Sequence, residues 1–157
     1  MITGIIGVQR GGTSAVAGVV YHLGVKMWGV DTTLDDNELF QNPLAWKNRQ
    51  GDWAYKHTRM WQESDTSFTD RFIFVFRDAV ASAIHGHTEL NEDKMFYRHQ
   101  LYSTFKTDKP HIYVSYEKLL MHTENEVKKI ADFLDMPVTP EAINIVKPKG
   151  HYYNLKT

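Results

Sequence analysis

The chain has 157 residues, of which 42% are hydrophobic and 13% aromatic. This is enough to bury the core of one domain and excludes wholesale disorder. Its 18 lysines and arginines nearly balance its 19 aspartates and glutamates, so it lacks the basic character expected of a general nucleic-acid binder. The absence of cysteine excludes disulfides, thiol nucleophiles and cysteine-ligated metal sites.

The sequence shows no sign of membrane insertion or export. No apolar run approaches the roughly 18 residues of a membrane span, and the N-terminus lacks the pattern of a secretory signal. We therefore expect a soluble, cytoplasmic protein with neither a membrane nor a nucleic-acid partner. No repeat or linker divides the chain, which predicts a single domain over residues 1–157.

Strands and helices alternate along the chain. A nearly continuous apolar run at the N-terminus predicts a buried parallel strand, and the next segment has helical spacing that ends at Gly24. Alternation of this kind predicts an α/β fold, a three-layer sandwich with a central, mostly parallel sheet that binds ligands beyond the carboxyl ends of its strands. The predicted strands are residues 2–8, 53–57, 71–77 and 111–116, and the predicted helices are residues 13–23, 78–87 and 92–107, one opened by a Thr123–Glu126 capping box, and a short one after Thr139.

A glycine-rich loop, Gly7-Val-Gln-Arg-Gly-Gly-Thr-Ser14, joins the first strand to the first helix. The first turn of a helix has unpaired N–H groups and partial positive charge, and glycines let the backbone close around a phosphate-like anion. The Gly7-x4-Gly12 spacing is that of a nucleotide P-loop, but Thr13 stands at the lysine position and Arg10 supplies the cation. The loop predicts anion binding in a fold of the P-loop nucleotide-binding type, without an ordinary Mg-ATP site; a plain glycine turn is the alternative.

Two motifs resemble those of sulfotransferases that use 3′-phosphoadenosine 5′-phosphosulfate (PAPS). Gln9-Arg-Gly-Gly-Thr-Ser14 is similar to the family's phosphosulfate loop, Pro-Arg/Lys-Ser-Gly-Thr-Ser/Thr. Phe74-Val-Phe-Arg-Asp78 resembles a second signature, in which an arginine and a serine eight residues later hold the 3′-phosphate. Arg77 matches that arginine, whereas His85 stands at the eighth position and Ser82 is the nearest hydroxyl.

Two later segments, residues 113–120 and 127–137, resemble the family's Tyr-Glu-Asp-Leu and Ile-x-x-Phe-Leu-Gly stretches. We interpret both as scaffold: a strand and turn, followed by a helix that packs its apolar side against the core. They favour the fold and carry no prediction about chemistry.

The resemblance implies an enzyme that moves a sulfuryl group from PAPS to a hydroxyl or amine of a small-molecule or carbohydrate acceptor and releases adenosine 3′,5′-bisphosphate (PAP). No metal is expected, because the adjacent pair His85 and His87 would face apart on a helix. Residues 31–69 are the implied acceptor-binding or lid region, and residues 148–157 a tail. The implied nucleotide-binding residues are Arg10, Gly11, Gly12, Thr13, Ser14, Arg77, Ser82, His85 and Lys149.

Three residues are candidates for the chemistry. Arg10 is positively charged at any working pH and would stabilise charge on the leaving group. Histidine is the side chain that ordinarily changes its charge near neutral pH, so His57 would act as general base, while Lys56 would contact the sulfuryl oxygens. A kinase of the same loop type acting on small molecules, and a catalytically weak nucleotide-binding module of the same fold, remain alternatives.

The four tryptophans fall within one stretch of the chain. An aromatic platform for the acceptor is one interpretation of this clustering, and core packing is the other. The tryptophans concerned are Trp28, Trp46, Trp53 and Trp61.

Overall fold

The computed structural model describes residues 1–8, 11–28, 50–58, 66–78, 100 and 106–146. Within them, five parallel strands form one sheet. The strands are β1 Ile2–Gly7, β2 Lys26–Met27, β3 Trp53–His57, β4 Arg71–Phe76 and β5 His111–Ser115. They are arranged in the order β2-β3-β1-β4-β5, so β1 lies at the centre, and the chain crosses from one side of it to the other between β3 and β4.

The described helices pack against one face of this sheet. They are α1 Thr13–His22, α2 Tyr116–Met121, α3 Thr123–Leu134 and α4 Pro140–Asn144. Their buried side chains form one core cluster with Ile5, Ile73 and Val75 of the sheet. We call this side of the sheet the helical face.

The opposite side of the sheet is rich in aromatic residues. Tyr55, Phe72 and Phe74 are buried there in one cluster together with Trp28 and Trp53, and we call it the aromatic face. Burial raises the pKa of the Tyr55 phenol well above its ordinary value, although a hydrogen bond with the Thr69 hydroxyl lowers it in part. Core packing is therefore confirmed for Trp28 and Trp53, while Trp46 and Trp61 lie outside the described residues.

The predicted α/β fold with a central parallel sheet is confirmed. All four predicted strands form, and each ends within one residue of its predicted carboxyl end. The two-residue strand β2 was not predicted, because two residues are too few to show a periodic pattern. The helices predicted over residues 78–87 and 92–107 lie largely outside the described part of the chain. None of the described helices is long and apolar enough to cross a membrane.

The predicted glycine end of α1 is confirmed. Gly24 has a φ of +102°, in the left-handed region that glycine adopts at little cost. Its N–H donates to Tyr21 O at 2.9 Å, and Val25 N–H donates to Val20 O at 3.3 Å. This pair of bonds satisfies two carbonyls of the last turn and directs the chain into β2.

The predicted capping box at the start of α3 is wrong. Thr123 is the first helical residue rather than the cap, and its hydroxyl donates to Leu119 O at 2.8 Å. Glu126 instead accepts a bond from Lys129 at 3.0 Å. The reason is that α2 ends just before α3 begins. A carbonyl in the last turn of α2 therefore accepts the hydrogen bond of the Thr123 hydroxyl, which the capping box would have used for α3.

Candidate functional site

The glycine loop turns the chain sharply from β1 into α1. Gly11 N–H donates to Val8 O at 3.0 Å, which joins the two described residues that flank Gln9 and Arg10. Gly12 follows with a φ of +91°, and its carbonyl accepts from Val16 N–H at 3.2 Å as the first bond of the helix. The loop therefore places the first turn of α1 at the carboxyl edge of the sheet, beside its central strand.

The beginning of α1 has no cap within the part of the chain that the structure describes. Gly12, at the cap position, offers no side chain, and the first turn contains no acidic residue. The N–H groups of Thr13, Ser14 and Ala15 precede the first intrahelical donor, so they are available to a ligand. Such an end carries partial positive charge and favours an anion.

Lys56 brings a positive charge to this turn. Its Nζ donates to Ser14 Oγ at 2.9 Å, and β3 pairs it in register with Ile5 of β1. Because side chains alternate along a strand, Lys56 lies on the helical face and His57 on the aromatic face. His57 is paired with Ile6 at the same edge of the sheet. The two candidates therefore stand next to each other in sequence but on opposite sides of the sheet.

An aromatic ring links Arg77 to the glycine loop. Arg77 follows the last residue of β4, and its Cζ lies 4.6 Å from the centroid of the Tyr116 ring. A Cβ placed on Gly12 would lie 2.6 Å from Cδ2 of the same ring. One tyrosine therefore packs against both the loop and the arginine, and it joins the two motifs that the sequence shows 65 positions apart.

Sequence reasoning missed the part played by Tyr116 and its neighbour Glu117. It interpreted residues 113–120 as scaffold, although both residues follow β5 directly and thus lie at the ligand-binding edge of the sheet. Glu117 accepts a hydrogen bond from Asp78 N–H at 2.8 Å. Their position after a strand was the signal that could have identified them.

The structure brings six of the predicted residues to the same edge of the helical face: Gly11, Gly12, Thr13, Ser14, Lys56 and Arg77. Arg10, Ser82, His85 and Lys149 lie outside the described residues, as do residues 31–49 and 59–65 of the predicted lid region and residues 148–157 of the predicted tail. In the remainder of the predicted lid region, residues 53–57 form an interior strand of the sheet. Among the described residues, no group of three or more acidic or histidine side chains could hold a metal ion.

A parallel sheet whose central strand turns through a glycine loop into an uncapped helix defines the class of α/β proteins with a phosphate-binding loop. The sequence matches the profile of the sulfotransferase domain family over residues 54–156. The chain therefore belongs to the sulfotransferase domain family. The matched part includes Arg77, Tyr116 and Glu117, and the glycine loop precedes it.

Solved structures share the fold at low sequence identity. A mouse sulfotransferase, SULT7A1, complexed with PAP, is 14% identical with a TM-score of 0.60, and the match covers 92% of this chain and 61% of that one. An unliganded sugar kinase from Janibacter sp. HTCC2649 is 11% identical with a TM-score of 0.50, covering 90% and 96%. Retinol dehydratase in complex with androsterone and inactive cofactor PAP is 13% identical with a TM-score of 0.49, covering 98% and 64%. A search of curated proteins by sequence gave no significant match.

Proposed function

We propose that the protein is a PAPS-dependent sulfotransferase that transfers a sulfuryl group to a hydroxyl or amine of a small-molecule or carbohydrate acceptor in the cytoplasm. The observation that carries the proposal is the meeting of three positive elements at one edge of the sheet: the uncapped end of α1, Lys56 and Arg77. Membership of the sulfotransferase domain family supports it. The SULT7A1 structure, of which the match covers 61%, was solved with PAP.

The described residues fit a ligand with two phosphate-like groups. Lys56 is the penultimate residue of β3 and Arg77 follows β4, and these strands lie on either side of β1. Lys56 and Ile73 are both paired with Ile5 of β1, so Arg77 lies about 10 Å to the side of Lys56 and four residues, roughly 13 Å, further along the strands. The two backbone positions are therefore roughly 16 Å apart, and the first turn of α1 follows the strand between them. Two separate cationic groups suit an adenosine bisphosphate, which has a phosphate at each end, better than they suit a nucleotide with one compact triphosphate.

Each residue has a role in this proposal. When bound, PAPS supplies an activated sulfuryl group whose transfer leaves additional negative charge on a phosphate oxygen. The N–H groups of the first turn of α1 and the Ser14 hydroxyl would hold the 5′-phosphate, and Arg77 would hold the 3′-phosphate. Lys56 would contact the sulfuryl oxygens, for which its bond to the Ser14 hydroxyl already places its ammonium beside the loop.

Arg10 and His57 complete the proposed chemistry. Arg10 would stabilise the leaving group, since the hydrogen bond between Val8 and Gly11 fixes both ends of the loop that contains it. His57 would accept the proton of the acceptor from the aromatic face of the same edge. Ser82, His85 and Lys149 are proposed as further contacts of the nucleotide.

Calorimetric titration tests the nucleotide. We expect PAP to bind more tightly than ADP in the absence of Mg²⁺, because only PAP offers a phosphate to each cationic position. ATP binding that strengthens with Mg²⁺ would instead favour a kinase of the same fold. Equal binding of PAP and ADP would contradict the proposal.

Turnover tests the role of Arg10. Arg10→Ala should lower the rate of sulfuryl transfer from PAPS by about 10²–10³, the loss expected when a donor to developing charge is removed. Lys128→Ala is the matched control, since it removes a lysine charge from the exposed side of α3. A near-wild-type rate in Arg10→Ala would remove Arg10 from the mechanism.

A further inference from the structure

The two described residues that follow β4, Arg77 and Asp78, are held by a carboxylate from another part of the chain. Arg77 is the first residue beyond the strand, and the backbone N–H of the next residue, Asp78, donates to Glu117 Oε1 at 2.8 Å. The other carboxylate oxygen, Oε2, accepts from the Ser115 hydroxyl at 3.2 Å. Glu117 is therefore fixed at both oxygens and ties the end of β4 to the beginning of α2.

Three consecutive residues, Ser115, Tyr116 and Glu117, act together at the end of β4. Ser115 caps α2, because its hydroxyl accepts from Lys118 N–H at 3.3 Å. Tyr116 places its ring against the Arg77 guanidinium, with Cζ 4.6 Å from the ring centroid. Glu117 binds the N–H one residue after Arg77. The side chain of Arg77 and the backbone that follows it are thus held by neighbouring residues of a single segment.

This arrangement restricts an otherwise mobile side chain. An arginine has many rotamers and must lose them when it binds a phosphate. Glu117 fixes the backbone directly after Arg77 while a ring contacts the guanidinium, and both contacts reduce the entropy that is lost on binding. The loop Gly12 packs against the same ring, so the restriction fixes Arg77 relative to the beginning of α1.

We propose that Glu117 is a positioning residue that sets the preference of the site for a 3′-phosphate by holding the Arg77-Asp78 backbone. The inference rests on the proposed function, because it assigns the 3′-phosphate to Arg77. Glu117 acts through the backbone at Asp78, and its effect depends on the reach of its carboxylate rather than on its charge.

The test compares the affinities of PAP and adenosine 5′-phosphate, which differ only in the 3′-phosphate. Their ratio is measured by calorimetry for the wild type and for three variants at one position. Glu117→Ala removes the acceptor, Glu117→Asp keeps the charge but shortens the side chain, and Glu117→Gln keeps the reach without the charge. We expect the first two to lower the ratio about five- to tenfold and Glu117→Gln to stay within about twofold of the wild type, since an amide oxygen still accepts from Asp78 N–H.

A double-mutant cycle separates positioning from general damage. In an Arg77→Ala background, Glu117→Asp should leave the ratio unchanged, because the residue through which it acts is absent. Glu117→Asp also keeps the test available if Glu117→Ala does not fold. A wild-type ratio in Glu117→Asp, a low ratio in Glu117→Gln, or an effect that persists without Arg77 would each overturn the inference while the wild type still prefers PAP. Absence of that preference in the wild type would overturn the proposed function and the inference together.

Discussion

Arg71, the first residue of β4, and Arg77, the first residue after it, differ in what surrounds them, although their positions alternate onto the same face of the sheet. Arg71, at the amino end, is only 4% exposed. Its Nε donates to Thr3 Oγ1 at 2.9 Å, and its Nη1 donates to Phe133 O at 3.1 Å. Arg77, at the carboxyl end, is half-buried and stacks on Tyr116.

The difference follows from which helix end each arginine meets. Arg71 binds a carbonyl in the last turn of α3, where the helix is partly negative and a cation is favourable. Arg77 lies beside the first turn of α1, which is partly positive, so this arrangement gains from a bound anion. Arg71 therefore contributes to the stability of the fold, whereas Arg77 is the arginine that we propose contacts the nucleotide.

The largest expected loss of stability follows from a substitution at the amino end of β4. Arg71→Ala should reduce the free energy of unfolding by about 2–4 kcal/mol, because it leaves a buried hydroxyl and a partly buried carbonyl without their donor and opens a cavity. Urea denaturation followed by circular dichroism measures the change. Arg77→Ala is the matched variant on the same strand and should cost less than about 1 kcal/mol. The comparison fails if the second variant is the more destabilised of the two.

The carboxyl end should show the reverse pattern in binding. Arg77→Ala should weaken PAP by about 10- to 150-fold, the range expected for losing a charge-assisted contact of 1.5–3 kcal/mol. The affinity for adenosine 5′-phosphate should change much less, and Lys128→Ala should leave both affinities unchanged. Equal losses for the two nucleotides in calorimetry would show that Arg77 does not contact the 3′-phosphate.

The features that the sequence predicted are those that depend on short, continuous stretches of the chain. The apolar runs of β1 and β4, the glycine end of α1 and the loop before it depend on neighbouring residues. Thr139 likewise caps α4 as predicted, since its hydroxyl accepts from Ala142 N–H. Local geometry determines each of these features, so a periodic pattern or a turn residue is enough to identify them.

The features that were missed depend on residues far apart in sequence. The contact of Arg77 with Tyr116 and the bond of Lys56 to Ser14 form only when parallel strands bring their carboxyl ends together. Thr123 illustrates a different failure, because the motif was present and a nearer carbonyl competed for its hydroxyl. The sequence therefore indicated the edge of the sheet at which the described candidate residues lie, but it did not reveal the contacts that join them.

The packing of the loop against Tyr116 can be measured apart from backbone strain. Gly12 and Gly51 have φ values of +91° and +88°, but a Cβ on Gly12 meets Tyr116, whereas none of the described atoms lies within 4 Å of one on Gly51. Both alanine variants should lower the free energy of unfolding by the same amount through backbone strain. Gly12→Ala should lower it by about 1–2 kcal/mol more, because its Cβ also meets the ring. Chemical denaturation of the two variants gives this difference. Equal losses would mean that the ring moves aside freely, and the join between loop and arginine would then be loose.

The smallest expected effect is a gain in stability from a substitution near the amino end of β4. Asp135 ends α3 in the left-handed conformation with a φ of 54°, and its carboxylate stands at the partly negative end of the helix. Asp135→Gly relieves both and should raise the free energy of unfolding by about 0.5–1 kcal/mol, after allowance for the greater freedom of glycine in the unfolded chain. Gly24→Ala, at the corresponding position of α1, should have the opposite sign. Asp135 lies near the end of α3 that Arg71 binds, far from the proposed nucleotide site, so Asp135→Gly should leave the affinity for PAP unchanged. A change in that affinity would mean that the two ends of β4 are coupled through the sheet.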